Sequence, residues 1–268
     1  MSLCRAYLDD WHAPRSCTTI TLDGLELYGT DPGFGYGVER FDGWVNGVDF
    51  AGGPVPYEAA DGGLMGQIVR RGRLIVIEGV VQARDGGDLQ RRMEKLGAVL
   101  SGERSGDLVV REEWLGVQRM VREVTRLRAP QITPETLTEA IFTLELASPH
   151  SVRVAALESV LTLQPGKSGT ATNAGNLPAE ATLILRGPLA NPSITIAGQQ
   201  WRYEGSVSSG KSLRVDLARR DVRDPATNTG SRRQAFGAWP TIPPGASAVT
   251  AGGTGQGTSE LHWRSTWS

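Results

Sequence analysis

Apolar and polar positions alternate with period two along most of the chain, and one stretch only carries the 3.6-residue period of a helix. Thr18–Tyr28, TTITLDGLELY, alternates around Asp23-Gly24 and predicts a hairpin with a type I′ turn. In Arg73–Ala83, RLIVIEGVVQA, Leu74, Val76, Glu78 and Val80 face one way and Ile75, Ile77 and Val81 the other. Both sides are largely apolar, which predicts a central strand. Asp88–Leu100, DLQRRMEKLGAVL, places Leu89, Met93, Leu96 and Leu100 on one stripe, so a single helix should lie across a sheet there. Asp85 or Asp88 can cap its start, and Gly102 is placed to end it. Strands follow over Leu108–Arg128, with a turn near Leu115-Gly116, and over Glu139–Ala147. The glycine-rich segment Thr30–Ala60 predicts a long loop with a strand near Gly43–Phe50.

Beyond His150 the pattern contains strand signals alone. They fall at Ser159–Leu163, Ala181–Leu185, Ser193–Ala197, Gln200–Tyr203, Leu213–Leu217 and Glu260–Trp267. Pro165-Gly166, Gly187-Pro188, Asn191-Pro192 and Gly198 punctuate them as turns, and Thr227–Gly230 predicts a loop tip. Pro240–Gly245 predicts a proline-rich turn. Gly252, Gly253, Gly255 and Gly257 predict a flexible connection. Seven or eight strands at this spacing suit a sandwich or jelly-roll. The predicted architecture is mainly β, with two β-sandwich-type domains, 1–150 and 151–268, the first with one helix packed on a sheet. Composition agrees: 34 Gly and 15 Pro stand against 17 aromatic residues, which favours short strands and tight turns over a helical bundle.

Charge changes the picture in one respect. The net charge of −1 splits into 16 Lys+Arg against 22 Asp+Glu in residues 1–150, net −6, and 12 against 7 in residues 151–268, net +5. No block of five basic residues occurs, so dedicated nucleic-acid binding is not supported. Cys4 and Cys17 have no CxxC spacing and are expected to be free thiols in a reducing compartment. The N-terminus lacks an apolar signal core, and no apolar run approaches the ~20 residues of a membrane helix. The expectation is a soluble protein without a cleaved signal.

Candidate chemistry is sparse. Gly205–Ser212, GSVSSGKS, fits the P-loop pattern letter for letter. A P-loop cradles phosphates because a helix N-terminus follows it. Leu213, Val215 and Leu217 read instead as a strand, so the expectation is a Gly/Ser hairpin loop with Lys211 exposed. His12, His150 and His262 show no ligand spacing. No GxSxG elbow or Cys–His pairing is present. The neighbours Asp9-Asp10 and Glu112-Glu113 would point to opposite faces of a strand. The seven tryptophans, Trp11, Trp44, Trp114, Trp201, Trp239, Trp263 and Trp267, read first as core or interface. Stacking on sugar rings is the competing use. No catalytic, cofactor-binding or metal residue is nominated, and an enzyme is not expected.

The turn grammar carries a resemblance. Asn173, Gly175, Ala181–Leu185, Gly187-Pro188, Asn191-Pro192 and Ser193–Ala197 occur in the order seen in the second domain of distal tail proteins of long-tailed bacteriophages. Tyr203-Glu204-Gly205, Arg214-Val215-Asp216, Pro244-Gly245 and His262-Trp263-Arg264 look alike too, and the helix and the ELASPHSV strand end match more loosely. The chain therefore resembles the siphovirus distal tail (Dit), or phage tail component, family. The resemblance implies a virion structural protein of the tail tip, assembled in the host cytoplasm. Six copies would form a ring joining the tail tube protein to the tip or baseplate hub. Its lumen would pass the tape-measure protein and then DNA as cargo, without membrane contact or cofactor. The second domain would be galectin-like or carbohydrate-module-like. The alternative is a carbohydrate-binding adhesin or receptor-binding β-sandwich.

Overall fold

The computed structural model describes residues 18–28, 34–45, 48, 50–56, 61, 63–65, 69–102, 104–112 and 116–268. Expectations for Cys4, Cys17, His12, Trp11, Trp114, Asp9-Asp10, Glu113 and Leu115 lie outside these residues. The chain divides into two compact units, Met1–Arg153 with Ser268, and Val154–Trp267.

In the first unit the hairpin forms as its alternation requires. Strands Thr18–Leu22 and Leu25–Tyr28 flank Asp23 and Gly24, both at positive φ (46° and 81°), the geometry of a type I′ turn. The strand order continues through Gly106–Glu112, Val117–Arg126, Glu139–Ser148 and Arg73–Gln82 to Gly35–Asp42. Val117–Arg126 is shared between two layers. Its first half pairs with Gly106–Glu112 and its end, Thr125 and Arg126, with Ala147 and Leu146. The register breaks between Val121 and Val124, where Glu123 has φ 52°. A bulge of this kind bends a strand and lets one ribbon fold back on itself. Ile20, Leu22 and Leu108 from one layer and Ile77, Phe142 and Leu144 from the other then share one core.

The helix spans Gly86–Ala98. The Asp85 carboxylate caps it, accepting the Asp88 backbone N–H at 2.8 Å. Leu89 and Leu96 are buried in the core and Met93 packs at its margin, as the stripe predicts. The helix ends at Ala98 with Val99 as cap, ahead of Gly102. Leu100 at φ 50° takes the left-handed position, and its side chain remains buried.

Arg73–Gln82 is central, between Gly35–Asp42 and Glu139–Ser148. The expectation for Thr30–Ala60 is corrected here. Among the described residues the main strand of that segment is Gly35–Asp42, with bends at 43–45 and short strands at Phe50–Ala51 and Pro54–Pro56. Gly43, at φ 77°, marks close backbone approach, since a Cβ there would lie 1.9 Å from the Leu74 carbonyl oxygen, whereas Gly53 stands in open space. A Cβ on Gly79 would meet the Gly37 carbonyl oxygen at 2.0 Å, so this strand pair needs glycine.

The second unit is two facing sheets. One runs Ser159–Leu163, Thr258–Trp263, Ala181–Arg186, Ser212–Asp216, Asp221–Arg223; the other runs Ser168–Asn173, Gly245–Gly255, Leu189–Ile196, Gln199–Tyr203, Ala235–Gly237. Leu183, Leu185, Val215 and Leu261 of the first meet Ile194, Ile196, Trp201 and Val249 of the second. The mainly β, sandwich-type fold with a single described helix is as expected.

Two turn assignments are corrected. Asn191-Pro192 lies inside the Leu189–Ile196 strand, as a register break between Ala190 and Ser193 with Asn191 at φ 47°. Gly252, Gly253 and Gly255 form no flexible connection; they complete the long strand that pairs across this bulge. Gly253 has φ 105°, and a Cβ there would lie 2.9 Å from Pro192 Cα. The bulge and the glycines are two halves of one packing solution.

Candidate assembly surface

The residues with nominal chemistry do not converge. Ser206–Val207 is a short strand, Ser208 accepts the Lys211 N–H at 3.0 Å in a turn, and Ser212–Asp216 is a strand. The P-loop pattern therefore lacks the helix N-terminus that would hold phosphate. His150 Nε2 lies 3.3 Å from Glu123 Oε2, and His262 Nδ1 lies 3.1 Å from Glu158 Oε2. These are pairs in different units. No group of three or more His, Cys, Asp and Glu among the described residues could hold a metal. Nor is any described helix long and apolar enough to cross a membrane.

The tryptophans are structural. Trp44, Trp201 and Trp263 are buried, and Trp239 and Trp267 are half-buried. Trp201 stacks on Tyr203 with centroids 6.5 Å apart and meets Trp239 edge-on at 6.1 Å. The Trp263 indole N–H donates to the Thr172 carbonyl at 3.0 Å. Among the described residues no tryptophan is fully exposed.

The first unit instead presents a sheet face. One side of Arg73–Gln82 packs inward through Ile75, Ile77 and Val81. The other side carries Leu74, 64% exposed, and the half-buried Val76, Glu78 and Val80. Antiparallel register fixes their neighbours: Ala147 opposite Leu74, Glu145 opposite Val76, Thr143 opposite Glu78, Ile141 opposite Val80. Ile141 is 46% exposed, and Leu127, whose N–H bonds the Glu145 carbonyl, is 56% exposed. Since side chains of opposed residues share a face, these positions form one apolar patch across neighbouring strands. Charge pairs interrupt and rim it. Arg40 meets Asp42 at 2.5 Å and Glu78 at 3.4 Å, and Arg128 meets Glu145. An apolar centre inside a polar rim is the anatomy of a protein–protein interface. Sequence reasoning saw the apolarity of both faces of this strand. Its missing cover depends on where the helix and the second layer pack, and both lie on the inner side.

Behind the sheet, the chain is pinned by buried arginines. Arg73 is 1% exposed and donates to three backbone carbonyls: Gly43 at 2.6 Å, Trp44 at 3.1 Å and Ser151 at 3.1 Å. Burial pulls its pKa below the ordinary arginine value. Arg119 and Glu112 form a buried pair, with Nε 2.7 Å from Oε2. The Arg73 contacts hold the chain just after the Gly35–Asp42 strand, and the Arg119–Glu112 pair ties Val117–Arg126 to Gly106–Glu112. They carry no reaction.

No family model matches the chain, and no curated protein does. Solved structures do. The crystal structure of the Dit (gp 19.1) protein of phage SPP1, described as a paradigm of the hub adsorption apparatus in phages infecting Gram-positive bacteria, superposes with a TM-score of 0.62. Identity is 14%, over 93% of this chain and 98% of that one. The phage P2 baseplate in its activated, Ca-containing conformation aligns at TM-score 0.43 and 9% identity, over 92% and 97%. At the level of fold, the resemblance read from the turn grammar is borne out over nearly the whole chain.

Proposed function

We propose that this protein is a structural subunit of a long, flexible phage tail, a distal tail protein that closes a ring between tail tube and tip. The observation that carries the reading is the whole-length match to the SPP1 hub protein, which includes both units in order. The exposed patch around Leu74, Val76, Val80 and Ile141 supports it, since a ring subunit needs a surface that a neighbouring copy covers. Six copies in head-to-tail contact would place this face against a different face of the next subunit.

In this reading the tube protein docks on one side of the ring and the baseplate hub on the other, with the tape-measure protein and then DNA passing through the lumen. The excess of acidic residues in 1–150 suits such a lumen, because a basic lining would retain phosphate. The second unit, a galectin-like module in this reading, points outward and docks other tail parts. The protein sits at the tail tip of the virion after assembly in the host cytoplasm, and it performs no catalysis. The adhesin alternative gains no support from the tryptophans.

Native mass spectrometry over a rising concentration series, with and without the tube protein of the same virus, tests the proposal. The expected result is a species of six chains. A monomer that stays monomeric under all of these conditions overturns it.

A further inference from the structure

The positive excess of the second half is concentrated at one place. A groove of about 850 Å³ is lined by Arg214, Arg219, Arg220, Arg223 and Arg232, with Asp216 and Asp221. Five guanidinium groups against two carboxylates leave a formal excess of three positive charges, and no lysine takes part. The strand register makes the concentration costly to the fold. Arg214 stands directly opposite Arg223, and Asp216 directly opposite Asp221, on the paired strands Ser212–Asp216 and Asp221–Arg223. Like charges opposed across a strand pair destabilise it.

Several of these arginines are held in place. Arg223 Nε reaches Asp221 at 2.5 Å and its Nη1 reaches Asn228 Oδ1 at 3.1 Å. The Arg219 N–H donates to Asp216 Oδ1 at 2.9 Å, and its Nε lies 4.0 Å from Oδ2. Arg232 donates to the Arg220 carbonyl at 2.5 Å and lies over the Trp239 ring at 5.1 Å. Arg220 adopts φ 54°, a left-handed turn conformation that fixes the direction of the loop. The side chains of Arg214 and Arg220 are exposed, and among the described residues neither has a carboxylate within ion-pair distance. Two uncompensated guanidiniums beside two held ones, Arg223 and Arg232, describe a receptor for oxyanions.

We propose that this groove binds the phosphate groups of a phosphodiester chain without aromatic bases, a polyol-phosphate polymer. Arg214 and Arg223 stand side by side on one face of the strand pair, which suits the two unesterified oxygens of a phosphodiester. Bases are disfavoured because the ring beside the groove, Trp239, is already covered by Arg232 and packed on Trp201, so no stacking platform is free. This inference stands on the groove alone and does not depend on ring formation.

The full chain, labelled for fluorescence anisotropy, is titrated at two salt concentrations with three probes of equal formal charge: a glycerol-phosphate oligomer, an oligodeoxythymidylate and a polyglutamate. The glycerol-phosphate oligomer should bind most tightly, and more weakly at high salt. The double substitution Arg214→Gln and Arg220→Gln should weaken it roughly tenfold or more. The thermal midpoint should not fall, since neither side chain has an ion-pair partner to lose and neutralising Arg214 relieves its repulsion with Arg223. Lys211→Gln, an exposed cation outside the groove, should leave binding unchanged. Four results each overturn the proposal: no binding of the glycerol-phosphate oligomer, polyglutamate or oligothymidylate binding as tightly, indifference to the double substitution, or an equal loss in Lys211→Gln.

Discussion

The two units solve burial differently. In the second, two sheets face each other and each hides one side of the other, so alternation ends in a closed core and a charged exterior. In the first, the helix and the folded-back layer occupy the same side of the Arg73–Gln82 and Glu139–Ser148 strands. On the opposite side Leu74 and Ile141 stay exposed and Val76 and Val80 half-buried. A strand pair that is apolar on both faces but packed on one has room for a contact beyond the chain, which is the use proposed for it. The second unit shows no comparable surplus of apolar surface at its sheet centre. Its surplus is charge. In the proposed reading, association through apolar area belongs to the first unit and recognition through guanidinium groups to the second.

Substitutions can break this contrast. The largest effect is expected from emptying a closed core. Trp201→Ala, at a fully buried site, should cost about 3–5 kcal/mol in denaturant unfolding, and Phe142→Ala a similar amount. Equal costs would show that the inner side of the first unit is as complete as the core of the second. Arg73→Ala should follow at about 3 kcal/mol, because three carbonyls lose a charged donor in a buried place. Asp85→Ala should cost about 1 kcal/mol through loss of the helix cap. The paired substitution Leu74→Asp and Ile141→Asp should change stability within about 0.5 kcal/mol, since both positions are exposed in the single chain. A cost comparable to Phe142→Ala would mean the face is internal packing after all.

The smallest effect concerns pH. Arg186 beside Glu260, at 2.6 Å, holds that carboxyl below the ordinary Glu value. A depressed folded pKa gives stability that is complete above the ordinary value and lost as pH falls through the folded one. The parent should therefore be slightly more stable than Arg186→Gln at neutral pH, with the difference closing as the pH falls through the acid limb; the effect is small because the arginine is largely exposed.

Legibility in the sequence followed the range of the interactions. The Asp23-Gly24 turn, the Asp85 cap and the Leu89–Leu96 stripe are decided within a few residues, and they were readable. Gly35–Asp42 was not, because its partner strand is distant in sequence and admits it at a glycine there: Gly79 is tight against the Gly37 carbonyl. The Asn191-Pro192 bulge and Gly252–Gly255 were misread for the same reason, each making sense only beside the other. The exposed patch was half readable. Apolarity on both sides of Arg73–Gln82 is written in the residues, whereas the choice of covered side is made by the helix and the second layer. The arginine groove was visible only as a net charge, because strand register brings Arg214 and Arg223 together.

The central claim is that the first unit carries an assembly face. Electron micrographs of the full chain, with its tube protein, compared with the Leu74→Asp/Ile141→Asp variant, test it most directly. Closed sixfold rings for the parent chain and dispersed, folded single subunits for the variant are predicted. Identical rings from both proteins, or no rings from the parent, would contradict it.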